Sequence, residues 1–202
     1  MEAIYSFDYA VLNWLQEHSN PFFDSFFSLI THLGDAGLFW IAITVVCLCF
    51  RKTRKMGLIM GFAIFLGGLF GNIILKPLVA RIRPYDNTAW EPLRTAADLL
   101  IKAPDDFSFP SGHTLVSFEA SVGIFSCRKK WGVPAIIVAF LVAFSRLYLY
   151  VHYVTDVLAG MVMGTAFAIA SYYLICALEK NVWPKCLERW KNRKKTTGGD
   201  AE

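Results

Sequence analysis

Long apolar runs separated by short polar breaks set the pattern of this chain. In residues 4–17, Ile4, Phe7, Val11, Leu12 and Leu15 recur at helical spacing with polar residues opposite, which predicts an amphipathic helix lying in a membrane interface. Asn20 and Pro21 break it. Residues 22–33 are apolar but too few for a comfortable crossing, and Gly34 and Asp35 end the run. This piece reads either as part of a bent first crossing or as a re-entrant segment. Apolar runs follow at 38–50 and 56–79, the second with Gly61, Gly67, Gly68 and Gly71, which permit close helix packing. A polar loop spans 80–109, and further apolar runs occupy 111–126, 131–150 and 153–178. No internal repeat or low-complexity segment interrupts the series.

Composition turns this pattern into a fold class. A helix needs roughly 20 apolar residues to cross a bilayer, and several runs reach that length. The chain is 55% hydrophobic over 202 residues, too short to bury so many apolar helices in a water-soluble core. The expected fold is all-α, a polytopic membrane bundle of about six helices with an N-terminal interfacial helix. Residues 1–180 form one membrane domain, with 1–20 interfacial and 80–109 an extracytoplasmic loop. Residues 181–202 form a basic cytoplasmic tail, disordered over 196–202. Residues 1–20 lack the basic start and small-residue cleavage site of a secretory leader. The cysteines show no metal-ligand spacing, and Cys47, Cys49, Cys127 and Cys176 read as small buried hydrophobes.

The net charge of +4 matters less than its distribution. Basic clusters at 51–55, at 128–130 and in the tail (Lys185, Arg189, Lys191, Arg193, Lys194, Lys195) fall on one side when the runs are threaded, and that side is expected to be cytoplasmic. The 80–109 loop and the turn at 150–152 then face outside. Tyr148, Tyr150, Tyr153, Trp40 and Trp90 suit an outer aromatic belt, and Trp131 and Trp183 an inner one. Lys76, Arg81, Arg83 and Arg146 break the charge rule by sitting at outer ends of runs. Cations held there point to an anionic ligand.

Three segments carry the candidate chemistry at that outer end. In KPLVARIRP, Lys76 and Arg83 are seven positions apart, near two helical turns, so both share one face if the helix continues. In FPSGHT, Ser111, Gly112 and His113 open an apolar run, where free backbone N–H groups and a glycine suit a close-lying anion. In SRLYLYVHYVTD, Ser145 and Arg146 end one run, and His152 and Asp156 stand four apart at the start of the next. Lys76, Arg83 and Arg146 supply charge and donors for phosphate oxygens. A histidine steadied by a carboxylate is a nucleophile, and a second histidine can protonate the leaving oxygen. Each residue alone has a plainer reading: a histidine can bond a neighbouring helix, an arginine can reach out to headgroups, and Asp156 can cap a helix. Two histidines, three cations and a carboxylate on one face are much harder to explain as packing. Glu119 reads as an interhelical hydrogen-bonding group ahead of a residue that lines the site or touches a headgroup. Asn72 either orients Lys76 or bonds a neighbouring helix; Asp105 and Asp106 either shape the entrance or form a solvated loop; and Arg81 reads as a peripheral charge. His18 and His32 receive no role.

The three segments resemble the signature of the type-2 phosphatidic acid phosphatase superfamily, K-x6-R-P, then P-S-G-H, then S-R-x5-H-x3-D. It is met by Lys76, Arg83 and Pro84; by Pro110, Ser111, Gly112 and His113; and by Ser145, Arg146, His152 and Asp156. The resemblance covers roughly residues 75–160. It implies a metal-independent reaction through a phosphohistidine, with no cofactor. His152 would be the nucleophile, Asp156 its orienting carboxylate and His113 the proton donor. Lys76, Arg83, Ser111, Gly112 and Arg146 would hold the phosphate. The expected partner is a lipid phosphate within the bilayer, with no nucleic acid and no obligate protein partner. An outward-facing site points to undecaprenyl diphosphate as substrate. Phosphatidylglycerophosphate and phosphatidic acid are the alternatives, and lipid phosphotransfer or non-catalytic lipid binding are rival functions.

Overall fold

The computed structural model describes residues 2–181, so Trp183 and the basic residues of the expected tail lie outside the described residues. All regular structure among the described residues is helical. Helix α1 (Glu2–Glu17) is followed by α2 (Pro21–Thr31), which Asn20 caps by accepting hydrogen bonds from the Phe22 and Phe23 amides. A 3-10 stretch (His32–Gly37) links α2 to α3 (Leu38–Cys49). Together, Pro21–Cys49 is apolar and long enough to cross a membrane. The short helix is thus one arm of a bent crossing. The bend lies at Asp35 and Ala36, whose backbone angles leave the helical region.

Helix α4 (Arg54–Leu66) widens into a π-helix over Gly67–Leu75 and ends in the short α5 (Lys76–Val79). After the irregular loop come α6 (Gly112–Cys127), α7 (Lys129–Tyr148) and α8 (Val154–Asn181). Among the described residues, 4 stretches are long and apolar enough to cross a membrane; α6, at 16 residues, is shorter. Helix α6 is the hub, packed by α4, α7 and α8. Gly160 and Gly164, spaced as a membrane-helix packing motif, bring α8 onto the α6 backbone: an added Cβ at Gly164 would stand 2.6 Å from the Leu115 carbonyl oxygen.

All of this places the 51–53 and 128 connections at one end of the bundle and the three signature segments at the other. Helix α1 covers that second end, touching α7 and α8. Its buried face is mixed, Asp8 and Gln16 lying with Tyr9, Leu12 and Leu15, while Ile4, Phe7 and Trp14 are exposed.

Two sequence expectations need correction here. Tyr148, Tyr150, Tyr153 and Trp40 are buried, so they form no belt facing lipid. The reason is polar: the tyrosine rings fill a core under α1 and the loop, Trp40 packs in a second core with Met60 and Ala120, and their polar ends bond inward. Tyr150 donates to Asn13 at 2.7 Å, Tyr148 to Asp24 at 2.6 Å and Trp40 to Ser117 at 2.9 Å. Of the described cysteines only Cys47 is buried, and Cys49 is exposed.

Candidate active site

The turn between α7 and α8 fixes the first histidine. Tyr150 takes a left-handed backbone conformation (φ 61°), which reverses the chain after α7. His152 therefore precedes α8 rather than lying on it, contrary to the helical-spacing argument. The carboxylate still reaches it. Asp156, in the first turn of α8, accepts the Tyr153 amide at 3.1 Å, and its Oδ2 stands 3.5 Å from His152 Nδ1. The Ser108 hydroxyl donates to that same Oδ2 and lies 3.4 Å from His152 Nδ1. On the other edge of the ring, Arg83 Nη1 lies 3.3 Å from Nε2. A guanidinium only donates, so Nε2 presents its lone pair and the proton sits on Nδ1, beside Asp156 and Ser108. His152 is 1% exposed. Burial, then the charges of Arg83, Arg146 and Lys76, push its pKa well below the ordinary histidine value.

Asp156 is itself held from outside the signature. Arg81 donates to Asp156 Oδ1 and, at 2.7 Å, to Asp8 Oδ2. Asp8 also accepts the Thr155 amide at 3.0 Å and the Thr155 hydroxyl at 2.7 Å, so helix α1 caps the start of α8. The Arg81 side chain is only 9% exposed and lies over the Tyr153 ring, 3.9 Å from its centroid. Arg81 is therefore a buried structural cation and not the peripheral charge expected.

The phosphate-side cations converge by a different route from the one expected. Helix α5 stops at Val79, Ala80 adopts φ 47° and Arg83 is extended, so Lys76 and Arg83 do not share a helical face. Asp106 brings them together, since Lys76 and Arg83 Nη2 each donate to one of its oxygens. Arg83 also donates to the Asp106 carbonyl at 2.7 Å and the Val151 carbonyl at 2.6 Å. Burial alone would raise the pKa of Asp106, but the bonds from Lys76 and Arg83 outweigh it and hold the carboxyl at about 2. Asp106 is thus no mere solvated loop residue. Arg146 is 2% exposed and donates to Thr31 at 2.5 Å, while its Nε has no partner among the described residues. Ser111 is buried, with its hydroxyl accepting from Thr114 at 3.0 Å and its amide donating to the Asp156 carbonyl at 3.2 Å.

His113 stands across from this cluster at the start of α6, its Nε2 bonded to Asp35 Oδ1 at 2.9 Å. It opens onto a cavity of about 420 Å³. Lys76, Asp106, Gly112 and His113 line the polar mouth; Ile41, Ile64, Leu115 and Val116, with Gly67 and Gly68 of the π-helix, line the apolar depth. Glu119 lies at that depth with Oε1 lacking any partner among the described residues. The interhelical bond expected of it is not made, because Gly67 leaves no side chain opposite and the carboxyl packs against bare backbone.

The arrangement provides a buried imidazole whose Nε2 lies beside Arg83, a cluster of cations, and a second imidazole at the mouth of a cavity with an apolar depth. Sequence reasoning brought Lys76, Arg83, His113, Arg146, His152 and Asp156 to one place, and the structure puts them there. It missed Asp8, Thr31, Asp35, Arg81, Asp106 and Ser108. Asp35 left a signal, since a carboxylate inside an apolar crossing is functional by default.

Comparison with known proteins points the same way. The chain is 33% identical over 127 residues to an undecaprenyl-diphosphatase of Sulfolobus acidocaldarius, covering 62% of this chain and 58% of that protein. It is 30% identical over 176 residues to phosphatidylglycerophosphatase B of Bacillus subtilis, covering 80% of each. The crystal structure of a transmembrane PAP2 type phosphatidylglycerolphosphate phosphatase from Bacillus subtilis superposes with a TM-score of 0.69 at 28% identity, covering 90% of this chain and 89% of that one. The sequence profile of the family described as the PAP2 superfamily matches residues 56–179, which takes in every signature residue placed above, and the chain belongs to that superfamily.

Proposed function

We propose that this protein is a membrane lipid phosphatase that works through a phosphohistidine, with undecaprenyl diphosphate as its substrate. The observation that carries the reading is the continuity of the polar pocket with the apolar slot. A phosphate at the mouth, beside Lys76, Gly112 and His113, would lie at the top of a groove that takes a hydrocarbon tail, with Arg83 bonded to the same carboxylate as Lys76. In that pose the lone pair on His152 Nε2 attacks phosphorus while Asp156 and Ser108 stabilise the positive charge that develops on the ring. The three cations neutralise charge on the equatorial oxygens, with Gly112 and the start of α6 adding backbone donors. His113 gives a proton to the leaving oxygen, and water then releases phosphate from His152.

A cavity of about 420 Å³ runs along α3 and the glycines of the π-helix, and a polyprenyl diphosphate would present a single tail to it. The name of the Sulfolobus relative agrees with this. The basic connections at the opposite end of the bundle support an extracytoplasmic site. Glu119 favours a second reading, phosphatidylglycerophosphate, since an unpaired carboxyl in the slot offers a partner to a glycerol hydroxyl.

The test is phosphate release by purified protein in mixed micelles. Undecaprenyl diphosphate, phosphatidylglycerophosphate and phosphatidic acid are offered side by side. A higher kcat/KM on the diphosphate upholds the first reading. A preference for phosphatidylglycerophosphate that Glu119→Leu abolishes establishes the second.

A further inference from the structure

Both histidines carry a carboxylate, but that of His113 comes from outside the signature. Asp35 accepts from His113 Nε2 at 2.9 Å through Oδ1, and its Oδ2 lies 2.6 Å from His32 Nδ1. Its position is built by the bend between α2 and α3. Asp35 is non-helical (φ −60°, ψ 118°) and Ala36 is left-handed (φ 48°). The left-handed conformation is disfavoured for an alanine, so packing must hold the bend in place. Gly34 is part of it: a Cβ there would strike the His113 ring, Cδ2 first. The Cδ2 and Nε2 edge of the imidazole therefore lies against the bend. The opposite edge, with Nδ1, faces away from it.

We infer that Asp35 is a positioning residue for proton transfer by His113. The inference rests on the phosphohistidine reading above. By accepting from Nε2, Asp35 keeps that proton in place and leaves Nδ1 as the ring atom that exchanges protons. In the first half-reaction, a bond forms between His152 Nε2 and phosphorus, the bond from phosphorus to the leaving oxygen breaks, and the proton on His113 Nδ1 moves to that oxygen. In the second, water attacks phosphorus and gives a proton to His113 Nδ1. The phosphorus–nitrogen bond breaks and its electron pair returns to His152 Nε2. Both steps use the same atom of His113, which requires a ring that does not change tautomer between them. The carboxylate also offsets the positive charge on His113 whenever the ring holds a second proton.

The experiment compares leaving groups. Full-length protein, Asp35→Asn and Asp35→Glu are assayed by rapid quench in detergent micelles. The substrates are dioctanoyl phosphatidic acid, whose alkoxide must be protonated to leave, and p-nitrophenyl phosphate, whose phenolate leaves without help. Asp35→Asn is expected to slow phosphoryl transfer from the lipid by about tenfold to a hundredfold, and the first burst of nitrophenolate by less than about threefold. Asp35→Glu recovers part of the lipid rate. The retained burst shows that the site is folded. Equal losses on both substrates, or no loss on the lipid, overturn the inference. A nitrophenolate burst that survives in His152→Ala would sink the phosphohistidine reading itself, and the inference with it.

Discussion

The two histidines occupy opposite kinds of surroundings. His152 and Asp156 have side chains 2% and 0% exposed, enclosed by Ser108, Arg83 and a second tier of Arg81 and Asp8. His113 and Asp35 are 20% and 51% exposed, at the mouth of the cavity. A nucleophile gains from burial, because a dry, pre-oriented imidazole needs no reorganisation before attack. A proton donor must be recharged from water at every turnover, so it gains from access. On the proposed mechanism, the same residue type would be fitted for two tasks by the depth at which the fold sets it.

The largest test of this contrast is His152→Ala. Phosphate release should fall by about 10⁴-fold or more while the thermal unfolding midpoint is kept. Substantial activity in that variant would remove the nucleophile from the buried half. Next comes Arg81→Ala, which leaves Asp8 and Asp156 buried without their cation. Unfolding in detergent should register a loss of about 3–5 kcal/mol, with activity falling alongside it. An unchanged midpoint would mean that the second tier is not structural.

A pH series separates the halves by a smaller effect. Folding lowers the pKa of His152, so its neutral form persists below the ordinary value of about 6.5. The stability it lends is full above that value and is lost as pH falls through the folded value. The nitrophenolate burst should therefore show no inflection near 6.5 and decline only at more acid pH. An inflection at the ordinary value would show that His152 is more open to water than the fold implies. The smallest effect expected is that of Asp106→Asn. Freeing Lys76 and Arg83 from this half-exposed carboxylate should lower KM, and raise inhibition by inorganic phosphate, by about twofold to fivefold. A rise in KM would mean that holding the two cations together matters more than the charge Asp106 neutralises.

The buried half was the more legible in sequence, though only in part. Arg146, His152 and Asp156 lie close enough along the chain for spacing to bring them together, even though His152 proved to precede the helix. Lys76 and Arg83 were paired correctly for the wrong reason, since the helix stops at Val79 and the loop residue Asp106 joins them. Contacts across long stretches of chain left no local trace. Asp8 meets Thr155 at a separation of 147 residues, and Asp35 meets His113 at 78. Such pairs depend on how whole helices pack, which a periodicity of 3.6 does not encode. The tyrosines misled for a related reason. An amphipathic ring suits a membrane interface and a polar-capped core equally well, and only the partners of the hydroxyl decide between them.

The slot between α3 and the glycine-lined π-helix has a kinetic consequence. A lipid entering there arrives by diffusion within a two-dimensional film, so encounter depends on the fraction of the film that is substrate and not on its amount per volume of medium. Diluting the substrate lipid with inert lipid should then slow the enzyme, whereas diluting the whole suspension with buffer should not. The bend, the wide helical turn and the row of glycines would together make the membrane itself the reaction medium.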